Sequence, residues 1–187
     1  MKKQIILGLA LSINSCLAFA HPGHDMQGFS VGFLHPLTGW DHLLVMLAVG
    51  VLAAKIGGKA RWQLPLTFML MMLIGASLGI LGIGFSGLET AIAASVMAMG
   101  LLICLSVELP AFTRVGLIAS FALMHGMAHG AELQHAVSPL VGMLLSTGLL
   151  HVLGLFSGLM SMRAAKSVQN GLAILMFVAG GFMLNLI

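Results

Sequence analysis

The sequence predicts an all-α polytopic membrane protein, with six transmembrane helices following a cleaved signal peptide. Three observations carry that expectation. Of the 187 residues, 59% are hydrophobic and only 7% are charged, where a soluble domain carries about a quarter. The mean hydropathy is +1.10. Apolar runs of about 18–22 residues, the length that crosses a bilayer, recur six times along the chain. Together these exclude a disordered chain, a disulfide scaffold and an ordinary cytosolic enzyme.

Residues 1–20 have the pattern of a secretory signal peptide. Lys2 and Lys3 form the basic start, a short apolar stretch follows, and Ala18-Phe19-Ala20 is a small-x-small cleavage site. Cleavage there exposes His21-Pro22-Gly23-His24-Asp25. Residues 21–36 then form an external, histidine-containing segment. Within it, residues 28–34 are too few to span and are expected as an amphipathic or re-entrant turn on the outer face. Pro36 suits the first turn of the first span, which sets His35 at the helix mouth. Residues 37–187 make up the transmembrane domain, with spans at 37–54, 64–84, 88–108, 112–130, 139–160 and 168–187. The short connections make neighbouring helices antiparallel.

Orientation follows from the basic residues. Lys55, Lys59 and Arg61 lie between spans one and two, Arg114 opens span four, and Arg163 and Lys166 lie between spans five and six. All fall on one side, which the positive-inside rule makes cytoplasmic. The mature N-terminus is then periplasmic, as a signal peptide independently requires, and the expected location is the bacterial inner membrane. The formal charge of +3 falls to +1 without Lys2 and Lys3, so no role in nucleic-acid binding is expected. Cys16 belongs to the removed segment and Cys104 to an apolar run, so the mature chain has no intramolecular disulfide. Gly75-x-x-x-Gly79, Gly126-x-x-x-Gly130 and Gly154-x-x-x-Gly158 allow close helix packing, within one chain or between chains. The sequence does not fix an oligomeric state.

Against this apolar background two polar clusters stand out. The first is His35-Pro-Leu-Thr-Gly-Trp-Asp41-His42. A lone carboxylate at the depth of Asp41 is costly, and a nearby cation offsets the cost. The second is His125-Gly-Met-Ala-His129-Gly-Ala-Glu132. Its i, i+4 and i+7 spacing puts two imidazoles and a carboxylate on one helix face. Imidazole nitrogen with carboxylate oxygen, and no thiolate, suits exchangeable nickel, cobalt, zinc, iron or manganese. His135 follows in the outer loop, and His151 lies mid-span, where it makes a helix–helix hydrogen bond or serves as a further ligand on the inward path of a metal. Glu89 and Glu108 sit at span ends and are explained by solvent or helix termini.

The pair of motifs, His35-Pro36-x-x-Gly39-x-Asp41-His42 and His125-Gly126-x-Ala128-His129-Gly130-x-Glu132, resembles the HupE/UreJ family of membrane metal permeases. The resemblance covers the whole chain. It implies nickel uptake, with cobalt in some members, and functional roles for His35, Asp41, His42, His125, His129 and Glu132. The expected function is a divalent-cation permease, not an enzyme. Its partners are the metal ion and the lipid bilayer, and Ni²⁺ or Co²⁺ is cargo, with no resident cofactor. No phosphate-binding Gly-x-x-x-x-Gly-Lys-Ser/Thr loop occurs, so facilitated diffusion is the simplest mechanism and proton coupling the variant. A second reading is a haem-binding electron carrier, with His42 and His129 or His125 and His151 as axial ligands. A third is a metal-dependent membrane hydrolase, disfavoured because the zinc-protease motif His-Glu-x-x-His is absent.

Overall fold

The computed structural model describes residues 28–105, 109–132, 137–162 and 166–184. The signal peptide, His21, His24, Asp25, Glu108, His135 and Arg163 lie outside the described residues. Seven helices follow in order: α1 (Phe29–Thr38), α2 (Trp40–Ile56), α3 (Ala60–Ile80), α4 (Leu88–Leu105), α5 (Ala111–Glu132), α6 (Val137–Ser161) and α7 (Lys166–Leu184). The all-α expectation holds for these residues. Helices α3 to α6 are each long and apolar enough to cross a membrane, and α1 with α2, bent by 81°, forms a broken span or a re-entrant loop. Helix α7 is 19 residues long, about 28 Å at 1.5 Å per residue, and its residues Ala173–Leu184 are apolar.

The first predicted span differs most from expectation. Pro36 does not open it. Pro36 lies in the last turn of α1, the chain breaks at Gly39, and α2 leaves at 81° to α1. A proline so near a helix end forfeits one backbone bond only. The carbonyls freed by the break are satisfied locally. Thr38 Oγ1 donates to the carbonyls of Leu34 (3.3 Å) and His35 (3.0 Å), and Gly39 N–H donates to that of His35 (3.2 Å). The predicted turn at 28–34 is therefore helix. Ten residues are too few to be helical alone, and the stabilising contact is α6. Gly32 of α1 lies against the Pro139 backbone, and Gly142 of α6 against that of Phe29 and Phe33.

Helix α2 is the centre of the bundle. Leu44, Val45, Met46 and nearly every residue from Ala48 to Ala54 are buried, as befits a helix that is apolar all round. Around it the tightest pairs are α3 with α5, α2 with α6, α4 with α7 and α1 with α6. Glycines set the first two. A methyl group at Gly126 or Gly130 would strike the carbonyls of Met72 and Ala76, and one at Gly75 or Gly79 those of Leu123 and Met127. Gly154 and Gly158 seat the same way on Leu47 and Val51 of α2. All three Gly-x-x-x-Gly motifs thus pack helices within the chain. Leu66, Leu70, Leu149, Phe156 and Phe177 face outward, the inverse of a soluble surface and natural against lipid.

The bundle has a basic end and an imidazole end. Helix α2 runs from Asp41 to Lys55, α3 from Arg61 toward Ile80, and α5 from Arg114 to Glu132. Lys55 Nζ donates to the Ile103 carbonyl (2.8 Å) near the C-terminus of α4, holding the basic end together.

Candidate metal centre

Three helix ends meet at the imidazole end. The last turn of α1 supplies His35, the first turn of α2 supplies Asp41 and His42, and the last two turns of α5 supply His125, His129 and Glu132. The break at Gly39 brings His35 back toward His42, with ring centroids 5.6 Å apart. Gly126 and Gly130 draw α5 against α3. His129 then meets both His35 (4.8 Å between centroids) and His42 (4.2 Å). The ring nitrogens of His35, His42 and His129 offer three donors, all within 4.8 Å of one another.

The two carboxylates flank this trio. Glu132 Oε2 is 3.4 Å from His35 Nε2, and its side chain is 63% exposed. Asp41 Oδ2 is 3.7 Å from His42 Nε2, while Asp41 Oδ1 accepts the His42 backbone N–H at 2.9 Å. His125 sits one turn deeper, its ring 5.3 Å from His42. His125 Nδ1–H donates to the Phe121 carbonyl (2.9 Å), which leaves Nε2 with its lone pair free. The structure thus gathers all six sequence-predicted residues. His35, His42 and His129 form the tight group, Asp41 and Glu132 each touch one member, and His125 lies beneath.

The donor set fits a borderline divalent cation. His35 Nε2, His42 Nδ1, His125 Nε2 and His129 Nε2 are buried without a hydrogen-bond partner among the described residues. Leaving so many imidazole nitrogens unpaired in an apolar bundle is costly, and a metal ion satisfies several at once. Nitrogens about 2.1 Å from one ion lie roughly 3–4 Å from each other. Side-chain movements of an ångström or so therefore bring the trio onto one centre. A haem does not fit here. With centroids 4.2 Å apart, the rings of His42 and His129 touch, and no porphyrin plane passes between them. The hydrolase reading gains nothing either, since Glu132 lies at the exposed rim beside His35.

Two more residues belong to this region, one left open by the sequence and one missed by it. His151 of α6, weighed as a helix–helix contact or a metal ligand, donates Nδ1–H to the Met46 carbonyl (2.7 Å), and its Nε2 is buried without a partner among the described residues. Phe68 of α3 packs on His125 (6.1 Å between centroids) and on His151 (5.0 Å). A phenylalanine in an apolar run carries no signal that would single it out.

Comparison with known proteins identifies the family. The sequence model of the family described as HupE / UreJ protein matches residues 9–184. Protein HupE of Rhizobium leguminosarum bv. viciae is 41% identical over 175 residues, covering 92% of this chain and 88% of that protein. No solved structure matches. A match over nearly the whole chain, spanning both polar motifs, shows that this is a multi-pass membrane protein belonging to the HupE/UreJ family of nickel/cobalt transporters.

Proposed function

We propose that the chain is a nickel permease of the inner membrane, with cobalt as a second cargo, working by facilitated diffusion. The observation that carries this reading is the convergence of three imidazoles from three helices, their donors within 4.8 Å of each other, at one end of an apolar bundle. Glu132 at the exposed rim attracts the hydrated cation. His35, His42 and His129 replace part of its water shell. Asp41 offsets the charge of the ion as it leaves bulk water, and His125, one turn deeper, is the next donor inward. The absence of thiolate leaves the ion exchangeable, as a carrier requires.

In this reading the imidazole end is periplasmic. The clustering of Lys55, Lys59, Arg61 and Arg114 at the other end supports it. Residues 1–20 act as a cleaved signal peptide, and α7, packed along α4, completes a set of six membrane segments. The test is radioactive nickel accumulation at low external nickel by cells expressing each variant. Asp41→Ala, His42→Ala and Glu132→Ala should each abolish uptake while the protein remains inserted at normal levels. Uptake persisting in all three would refute the site. A competition series with cobalt, zinc and manganese ranks the cargoes.

A further inference from the structure

We propose that His151 is a second, inner metal-binding station, which receives the divalent cation after it leaves the outer cluster. The proposal rests on the permease reading and deepens it. His151 is 1% exposed, near the middle of α6. Its Nδ1–H is committed to the Met46 carbonyl at 2.7 Å, so the lone pair lies on Nε2. That nitrogen is buried and has no partner among the described residues. The tie from α6 to α2 uses one ring nitrogen only, and it leaves the second as a buried acceptor that a bound cation would satisfy.

The surroundings favour passage of an ion. Phe68 stands edge-on to His151, with ring centroids 5.0 Å apart and an interplanar angle of 85°, and also touches His125. One aromatic side chain therefore bridges the deepest imidazole of the outer cluster and His151. Thr147, one turn before His151 on the same face of α6, donates its hydroxyl to Met46 Sδ at 3.3 Å, with Met72 Sδ at 3.9 Å. The layer thus holds imidazole, hydroxyl and two thioethers, all neutral donors compatible with a borderline cation. His151 also borders an apolar groove of about 420 Å³, whose walls include the lipid-facing Leu66 and Leu149, so Nε2 itself stays shielded from solvent.

The test uses the full-length protein in proteoliposomes, with initial rates of radioactive nickel uptake measured across external nickel concentrations. His151→Asn retains an amide N–H for the Met46 carbonyl and deletes the Nε2 donor. His151→Ala deletes both. His151→Gln keeps an oxygen donor near the Nε2 position. Expected for Asn and Ala is a maximal rate at least tenfold below wild type, with the half-saturating nickel concentration unchanged within twofold. Gln should recover at least threefold over Ala. The unfolding temperature in detergent should fall for Ala and stay near wild type for Asn. A maximal rate for Asn within twofold of wild type overturns the proposal. So does a raised half-saturation with the rate preserved, or equal rates in all three variants that track only the loss of folded protein. Failure of the permease reading is distinct from these outcomes, because wild-type protein would then move no nickel at all.

Discussion

The outer cluster and the layer around His151 are built from the same imidazole but differ in what surrounds it. At the outer cluster two carboxylates touch the ring nitrogens, Glu132 reaches solvent, and His35 comes from a helix of its own. Around His151 the partners are Met46, Met72, Thr147 and Phe68, all buried and none charged. Charge at a rim raises the local concentration of a cation and compensates its lost water. Neutral donors deep in the bundle hold it weakly and let it go. The contrast separates capture from passage, and each can be broken separately.

The largest effect is expected at the crowded centre of the capture site. His42→Ala or His129→Ala should reduce nickel uptake to the level of cells lacking the protein, as read by radioactive nickel accumulation. Next comes the packing that creates the site. Gly130→Leu drives a side chain into the Ala76 carbonyl and should lower both the yield of inserted protein and uptake severalfold. The paired control is Gly116→Ala on the same helix, where a methyl group meets open space, and it should change neither. A smaller, graded effect is expected for Glu132→Gln. Its rim position predicts a half-saturating nickel concentration raised about three- to tenfold, with the maximal rate kept, the opposite signature to His151→Asn. The smallest concerns the basic end. Lys55→Met removes the bond to the Ile103 carbonyl and should cost about 1 kcal/mol of stability, seen as a lowered unfolding temperature without loss of uptake.

The centre was largely legible in the sequence because helical spacing is a reliable ruler. The i, i+4, i+7 run from His125 to Glu132 must share a face wherever α5 goes, and the glycines between them announce a close neighbour. The path of the chain through His35 was not legible. Proline and glycine three residues apart suit either the start of a helix or its end. Only the packing of Gly32 and Gly142 across α1 and α6 decides for an end. The inner histidine was visible as a residue but not as an orphan. A sequence says that His151 is polar and buried, whereas its second nitrogen is left unpaired by a bond to a carbonyl 105 positions away.

The turn at Gly39 also affects the electrostatics of the backbone. Peptide dipoles leave about half a negative charge at a helix C-terminus and half a positive charge at an N-terminus. At this end of the bundle α1, α3 and α5 finish while α2, α4 and α6 begin, so carbonyl and amide ends are matched three to three. The amide end of α2 is masked, because Asp41 Oδ1 already accepts the His42 N–H. The backbone fields therefore largely cancel, and the pull on an arriving cation falls to the carboxylates of Asp41 and Glu132.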